Sequence, residues 1–267
     1  MANSVWRLIP LVQASGGVQM AVDEWLLQKH LAGKHPPTLR FYTWEPVAIS
    51  LGYHQRRYPD FWQQLSFGGI PVELVRRPSG GRAVLHQGDL TYAVVASGFS
   101  GSRLKAYQII CEFLIEGWRE MGLDLHYGDA SRGYIHNPNC FGTATGADLV
   151  TSDGCKLIGS AQLRRGDAIL QHGSMRLQPD FDLFFQVFGE QLIPMILPLS
   201  QGVNDSIETV IEALSAAACH CFEIDLNVQP LSEEEWVEIR ELTSYSLDDS
   251  AIETASIQTK SASAYDL

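Results

Sequence analysis

The stretch from residue 76 to residue 86 reads Arg76-Arg77-Pro78-Ser79-Gly80-Gly81-Arg82-Ala83-Val84-Leu85-His86, with two adjacent glycines between a basic cluster and a short apolar run. Val72, Leu74 and Val75 precede it and a mostly apolar run follows it at 90–95, so we expect a sharp turn between strands, with 83–85 continuing the first strand. Glycine has no Cβ and accepts positive φ, so the backbone can bend here and approach a ligand closely. Amide N–H groups and fixed positive charge suit a carbonyl or carboxylate group. A plain hairpin with a basic surface is the alternative, and this stretch alone favours it.

The composition of the whole chain indicates a globular protein. Of its 267 residues, 45% are hydrophobic and 19% are charged, and this length fits one large domain, with or without a small appendage. The net charge of −12 argues against nucleic acid as the main partner, although a local basic pocket is compatible with it. No apolar run is long enough to span a bilayer, and the N-terminal residues lack the pattern of a secretory signal. We therefore expect no membrane association and a cytoplasmic location.

The five cysteines, at positions 111, 140, 155, 219 and 221, are odd in number and irregular in spacing. This pattern predicts reduced thiols rather than a disulfide framework. Cys111 lies on the apolar stripe of a predicted helix and is interpreted as a core residue. Cys219-His220-Cys221 resembles a metal cluster, but a zinc knuckle needs two separated pairs of ligands. We interpret it as the end of a helix that runs into a strand, and no metal site is predicted.

Strand-like and helical segments interleave along the chain, and several strands are joined by short turns. This favours an α+β fold with a mixed, largely antiparallel β-sheet flanked by helices. Helices are predicted at 20–31, 104–121, 179–188, 205–218 and 232–242, and the first would carry Asp23 and Glu24 in its first turn. Strands are predicted at 5–9, 38–44, 47–53, 72–75, 83–85, 90–95, 148–150, 155–162 and 168–175. We expect one domain over 1–243 and a disordered, acidic, Ser/Thr-rich tail over 244–267.

Two groups of residues could carry chemistry. Cys140 lies among turn formers, in a loop of the kind that often holds reactive groups, and a nearby lysine ammonium would favour its thiolate. Lys156 belongs to a strand-turn-strand unit and is followed by Gly159-Ser160-Ala161. An inert thiol and a solvated lysine are the alternatives. His86 and His172, predicted at strand ends beside glycines, could be general bases or metal ligands, but no third metal ligand has supporting spacing.

Six segments, taken in order, resemble the lipoate/biotin protein ligase superfamily and span about the first three quarters of the chain. They are 19–24, 37–44, 50–55, 76–86, 156–162 and 170–174. The detail is most similar to the LipM-type octanoyltransferases: a Gly-Gly-Arg form in place of a triple glycine, Cys140-Phe141 ahead of the lysine, and an early end after the core, where many lipoate ligases have an accessory domain. Gln87 stands where the family commonly has Asp, and the interval from Cys140 to Lys156 is slightly longer than usual.

The resemblance implies a single catalytic domain of the lipoate/biotin-ligase type. Its activity would move an octanoyl group from acyl carrier protein to the lysine of a lipoyl domain, such as the glycine cleavage H protein, in lipoate biosynthesis. Cys140, activated by Lys156, would carry the group as a thioester, so neither ATP nor a cofactor is expected. Backbone amides at 79–82 and 159–161 would hold the carbonyl oxygen, and an apolar tunnel would hold the tail. The implied substrate-binding residues are Arg76, Ser79, Gly80, Gly81, Arg82, His86, Gly159, Ser160, Ala161, His172 and Gly173.

Three other activities remain open. An ATP-dependent lipoate–protein ligase would use the same pocket and Lys156 without needing a thiol. A lipoyl amidotransferase would need the thiol but would take its acyl group from another protein domain. A non-catalytic lipoyl-domain binder is the third, and the presence of the lysine, the glycines and the loop cysteine together argues against it.

Overall fold

A computed structural model of the chain describes residues 3–128, 148–199 and 203–243. The helices are α1 (Gly16–Leu31), α2 (Arg103–Glu120), α3 (Phe181–Phe188), α4 (Val203–Phe222) and α5 (Glu233–Glu241), with a 3₁₀ turn at Asp60–Gln64. The strands are β1 (Ser4–Ala14), β2 (Thr38–Trp44), β3 (Ala48–Leu51), β4 (Ser66–Phe67), β5 (Ile70–Pro71), β6 (Glu73–Arg76), β7 (Val84–His86), β8 (Asp89–Ala96), β9 (Leu125–Tyr127), β10 (Asp148–Thr151), β11 (Lys156–Arg165), β12 (Ala168–Arg176) and β13 (Ile224–Val228).

An eight-stranded sheet forms the centre of the molecule, in the order β13-β1-β2-β8-β12-β11-β10-β9. β1 runs parallel to both β13 and β2, and every other neighbouring pair is antiparallel. The predicted α+β fold with a mixed, largely antiparallel sheet is therefore confirmed. β9 and the short β4–β5 hairpin were not predicted from the sequence, and β13 was predicted only as a strand that follows residues 219–221, without bounds.

Helices cover both faces of this sheet because side chains alternate along each strand. On one face Phe41 and Tyr92 pack with α2 and α4, and Cys111 of α2 is fully buried there, which confirms its interpretation as a core residue. On the other face Tyr42 and Ala93 pack with α1. The strands of the centre are therefore hydrophobic on both sides.

A second, three-stranded sheet lies beside the first in the order β6-β3-β7. β3 runs parallel to β6 and antiparallel to β7, so it separates the two strands that flank the glycine-rich turn. The expectation that 83–85 continues the strand at 72–75 is therefore wrong. The turn crosses the end of β3, and an alternating pattern in sequence gives no sign of a strand inserted from earlier in the chain.

Helix α1 begins at Gly16, four residues before its predicted start, so the placement of Asp23 and Glu24 in its first turn is wrong. Both acids lie in the buried middle of the helix. The N-terminus of α1 is capped by a residue from another element. The Glu73 carboxylate of β6 accepts hydrogen bonds from the amides of Gly16 and Gly17 at 2.6 and 2.9 Å. A cap supplied by another strand leaves no local signal in the sequence.

The remaining predictions concern the ends of the chain and the membrane. Cys219-His220-Cys221 closes α4 directly before β13, as predicted. Among the described residues, no helix combines the length and the apolar character that crossing a bilayer requires. The predicted tail at 244–267 lies outside the described residues.

Replacing Gly52 by alanine should destabilise the protein, because Gly52 follows β3 at the point where the turn crosses it. A Cβ on Gly52 would overlap the carbonyl oxygen of Gly81, a backbone atom that cannot move without shifting the turn. We expect Gly52→Ala to lower the free energy of unfolding by about 1–3 kcal/mol, measured by chemical denaturation. Gly80→Ala is the matched control, since a Cβ there meets no atom within 4 Å. Equal stability of the two variants would contradict this packing.

Candidate active site

A cavity of about 580 Å³, its open mouth included, lies where the glycine-rich turn and the small sheet meet the large sheet. Of the residues singled out from the sequence, the ones that line it are Gly81, Arg82, His86, Gly159, Ser160, Ala161, His172 and Gly173. Met20, Trp44 and Val84 give the cavity an apolar wall, and Arg77 and Arg82 add positive charge. This combination suits a ligand with an apolar chain and a polar head group.

The two arginines that open the glycine-rich stretch have different positions. Arg76 donates hydrogen bonds to the carbonyl oxygens of Gly52 and Gln55, and it does not line the cavity. Arg77 does line it, and its side chain donates to the carbonyls of Ser50, Gly80 and Arg82 at 2.6–3.2 Å. The buried Arg77 guanidinium therefore fixes the shape of the turn to the end of β3.

A hydrogen-bonded chain of side chains, centred on His86, links the small sheet to the large sheet at the cavity. Nε2 of His86 lies 2.8 Å from Oγ of Ser50, and Nδ1 lies 2.8 Å from Oδ2 of Asp89. The indole of Trp44 stacks on the imidazole with ring centroids 3.7 Å apart. Burial lowers the pKa of His86, so the ring is neutral at neutral pH. Nδ1 then donates to Asp89, and Nε2 accepts from the Ser50 hydroxyl, which itself accepts from Arg77 at 3.2 Å.

A second hydrogen-bonded chain of side chains, centred on His172, links the turn to helix α1. Nε2 of His172 lies 2.5 Å from Oγ of Ser79, and Nδ1 lies 2.7 Å from Oδ2 of Asp23. The same carboxylate accepts from the Tyr42 hydroxyl at 3.0 Å and pairs with the Arg40 guanidinium at 3.3 Å. His172 was expected at a strand end, but it lies in the middle of β12, where the turn folds over it.

Lys156 occupies the first position of β11 and is buried. Its Nζ lies 2.7 Å from Oδ1 of Asp148, the first residue of β10, and Asp148 itself lines the cavity. Gly159 lies directly beside this pair, and a Cβ there would lie 2.9 Å from Cε and 3.1 Å from Nζ of Lys156, so the end of the lysine side chain would have to shift. The expectation of a solvated strand lysine is therefore wrong, since the side chain is only 3% exposed.

Gly173 lies on β12 beside the cavity, at a position with no room for a side chain. A Cβ on it would overlap Oγ of Ser160 and lie 2.7 Å from the ring of Tyr92. The Tyr92 hydroxyl donates to Ser160 at 2.9 Å and accepts from Gln171 at 3.1 Å. Only glycine fits at position 173, so β11 and β12 approach each other closely at the cavity floor.

Cys140 lies outside the described residues, and so does its flanking sequence. The residues next to that segment are joined to each other, because the amide of Gly128 donates to the carbonyl of Asp148 at 2.9 Å. The segment that carries Cys140 therefore leaves and re-enters the described structure beside the Lys156–Asp148 pair. Gln87, the departure from the family pattern, accepts from the backbone amide of Asp180 at 2.5 Å, at the start of α3.

Sequence reasoning missed the acidic residues behind both histidines. Asp23 and Asp89 are nearly fully buried, and no pattern in the sequence signals a buried carboxylate that serves a histidine from another element. The sequence also did not suggest Glu116, which brings an oxygen within 4.8 Å of ligand atoms of His220 and Cys221. That group lies on α2 and α4, in the layer behind the sheet and away from the cavity.

Comparisons with known proteins agree on one family. Residues 15–217 match the lipoyl protein ligase A/B catalytic domain. The octanoyltransferase LipM of Kyrpidia tusciae is 41% identical over 194 residues, covering 68% of this chain and 69% of that protein. The octanoyltransferase LipM of Brevibacillus brevis is 34% identical over 271 residues, covering 91% of this chain and 97% of that protein.

Solved structures show the same fold. A candidate lipoate protein ligase from T. acidophilum with bound lipoic acid is 25% identical, with a TM-score of 0.72 over 91% of this chain and 95% of that one. Lipoate-protein ligase A bound with ATP is 24% identical, with a TM-score of 0.70 over 91% of this chain and 94% of that one. The second likeness extends to the fold alone.

The burial of His86 predicts a pH dependence of stability. Its pKa is lowered in the folded protein from 6.5, chiefly by burial, so the unfolded chain binds the proton more readily. The full free energy of unfolding is present above pH 6.5, where His86 is neutral in both states. It decreases as the pH falls below that value, because the unfolded chain then binds the proton. We expect the melting temperature to fall less from about pH 7.5 to about pH 5.5 in His86→Gln than in the wild type. The same fall in both proteins would contradict a neutral buried His86.

Proposed function

The chain belongs to the lipoyl protein ligase A/B catalytic-domain family, and we propose that it is an octanoyltransferase of lipoate biosynthesis that acts on a lipoyl-domain lysine. The observation that carries this proposal is the similarity to octanoyltransferases named LipM, at 34% identity over nearly the whole length of one of them and 41% over two thirds of another. The cavity then receives the octanoyl group, with its carbonyl near the turn and its tail along the apolar wall.

The polar end of the cavity supports this placement of the carbonyl. Gly81 and Arg82 line it from the turn, and Gly159, Ser160 and Ala161 line it from β11. Backbone amides and arginine N–H groups on these two sides are donors for an oxygen that gains negative charge as a nucleophile adds to the carbonyl carbon. Such donors lower the barrier of both acyl-transfer steps, because each step passes through an oxyanion.

The apolar side supports the placement of the tail. Met20, Trp44 and Val84 are buried and face the cavity. Each methylene that leaves water contributes about 0.8 kcal/mol, so an eight-carbon chain supplies both affinity and discrimination of chain length. A chain that ends short of this wall would lose part of that contribution.

Cys140 is proposed as the nucleophile. Each of the four thiols in the described part of the chain, Cys111, Cys155, Cys219 and Cys221, has a pKa raised chiefly by burial, which leaves little thiolate. Cys140 precedes Asp148 by eight residues, a reach of at most about 29 Å, and Asp148 lines the cavity. The ammonium of Lys156, beside Asp148, would favour a thiolate brought to this edge.

The proposed reaction has two steps. The Cys140 thiolate adds to the carbonyl carbon of the donor thioester, and the donor sulfur leaves as its C–S bond breaks. The lysine amine of the acceptor then adds to the enzyme thioester, forms the C–N bond and releases the Cys140 sulfur. Exchange between thioesters is nearly balanced in free energy and amide formation is favourable, so no nucleotide is required.

The partners follow from this chemistry. Octanoyl-acyl carrier protein is the proposed donor and a lipoyl domain, such as the glycine cleavage H protein, is the proposed acceptor, both in the cytoplasm. Arg56 and Arg57 are exposed and follow Gly52 by four and five residues. On a chain of net charge −12 they form a local positive surface, which suits an acidic donor protein.

An ATP-free transfer assay tests the proposal. Octanoyl-acyl carrier protein and an apo lipoyl domain should give an octanoylated domain without ATP, and intact-protein mass should show an octanoyl adduct on the enzyme. Cys140→Ala should form no adduct and should lose at least about 1000-fold in rate. Cys155→Ala is the matched control, because Cys155 directly precedes Lys156 in the sequence and should be dispensable. An adduct that persists in Cys140→Ala would contradict the proposal.

ATP-dependent lipoate ligation is the second candidate, and the likeness to the T. acidophilum protein with bound lipoic acid favours it. Under that mechanism, lipoate and Mg-ATP would modify the lipoyl domain, and Cys140→Ala would retain the activity. We expect lipoate and Mg-ATP to give no modified domain with the wild-type protein, measured by the mass of the acceptor. If lipoate and Mg-ATP modify the domain equally fast with the wild-type protein and with Cys140→Ala, the protein is a ligase and not a transferase.

A further inference from the structure

We propose that His172, held in place by Asp23, is the base that removes a proton from the acceptor lysine in the second transfer step. This inference rests on the proposed octanoyl transfer and concerns the step that follows loading of the enzyme. A lysine arrives mainly as an ammonium ion, which has no lone pair to attack a thioester. A group near the carbonyl site must therefore take a proton before the C–N bond forms.

The geometry fixes which nitrogen of His172 acts. Asp23 offers only acceptor oxygens to Nδ1 at 2.7 Å, so the proton of the neutral ring is on Nδ1 and Nε2 is the acceptor. Nε2 lies 2.5 Å from Oγ of Ser79, in the turn that borders the cavity. The hydroxyl of Ser79 thus donates to Nε2 and leaves its own oxygen lone pairs to accept a proton from an amine.

Asp23 is in turn held by buried partners. Arg40 pairs with one of its oxygens at 3.3 Å and Tyr42 donates to the other at 3.0 Å. Burial raises the pKa of Tyr42 well above its usual range, so its hydroxyl remains a donor. Asp23 therefore holds the imidazole in one tautomer and stabilises the imidazolium that forms, and it acts as a positioning residue.

His86 is less suited to the same role, although it has the same kind of carboxylate partner. Trp44 covers its ring, and Ser50, its hydroxyl partner, is tied by Arg77 to the end of β3. Ser79, by contrast, lies in the glycine-rich turn itself, next to the amides proposed to hold the carbonyl oxygen. His172 itself lines the cavity, so an amine that enters the cavity reaches the Ser79–His172 pair.

The protons and bonds of the step balance as follows. The acceptor ammonium gives one proton to Oγ of Ser79 while Ser79 gives its own proton to Nε2 of His172. The free amine then forms the C–N bond to the octanoyl carbon, and the C–S bond to Cys140 breaks. The second proton of the amine goes to the departing sulfur. The products are an amide, a thiol and an imidazolium paired with Asp23, with the total charge unchanged.

Several titratable groups surround His172 and would influence a pH profile. They are Asp23 on α1, Arg40 and Tyr42 on β2, His86 on β7 and, around the cavity, Arg77, Arg82 and Asp148.

Single-turnover measurements of the two steps test the inference. The enzyme is first loaded from octanoyl-acyl carrier protein, and the loaded enzyme is isolated and mixed with an apo lipoyl domain at several pH values. The mass of each protein reports loading and transfer separately. The variants are His172→Gln, Asp23→Asn and Ser79→Ala, and His220→Gln is the matched histidine control, since its side chain is 78% exposed on α4.

The expected result is a selective loss of transfer. His172→Gln should slow transfer by about 100-fold or more, at least about tenfold beyond any change in loading, while His220→Gln matches the wild type. Without a base, transfer by His172→Gln depends on the fraction of the acceptor lysine that is already a free amine. The difference in transfer rate between this variant and the wild type should therefore narrow by up to about tenfold for each pH unit toward the lysine pKa of about 10.4. Asp23→Asn and Ser79→Ala should show the same selective loss.

Other outcomes would overturn the inference. A deficit in His172→Gln that is the same at every pH, or equal in loading and transfer, would assign the residue a structural role. Transfer at the wild-type rate in Ser79→Ala would exclude the relay. If Asp23→Asn fails to fold, His172→Gln still tests the base. A wild-type protein that does not load at all would contradict the proposed function rather than this inference.

Discussion

The hold of Arg77 on the glycine-rich turn is the interaction on which the site depends. A buried guanidinium must satisfy its donors, and this one does so with the carbonyls of Ser50, Gly80 and Arg82. The carbonyls belong to β3 and to both sides of the turn. One side chain thereby fixes the turn to the small sheet, and the turn closes the cavity against the large sheet. The positions of Ser79 and Arg82 follow from this constraint.

Two buried chains of the same type, serine to histidine to aspartate, converge on this cavity. The large sheet makes both possible, because the alternation of β12 and β8 directs His172, Ser174, Asp89 and Thr91 toward the α1 side. Their surroundings separate their roles. Stacking against Trp44 covers the ring of His86, whereas His172 contacts the hydroxyl of Ser79 in the glycine-rich turn. Under the proposed base role of His172, one arrangement serves structure at His86 and chemistry at His172.

The sequence predicted the sheet and its helices well, because apolar periodicity reports burial directly. It also predicted eight of the residues that line the cavity, since glycine pairs and small residues mark a close approach of the backbone. It failed where distant elements meet. The insertion of β3 between β6 and β7, the cap of α1 by Glu73, and the carboxylates of Asp23 and Asp89 behind the histidines all depend on tertiary contacts. No local pattern records such contacts.

The central claim is that the cavity between the two sheets holds the octanoyl group during transfer. A crystal structure of the protein loaded with its octanoyl group tests this claim most directly. The account predicts the carbonyl oxygen between the turn at Gly81 and Arg82 and the β11 residues Gly159 to Ala161, with the tail against Met20, Trp44 and Val84. An octanoyl chain bound outside this cavity, or one whose carbonyl points away from the turn, would contradict it.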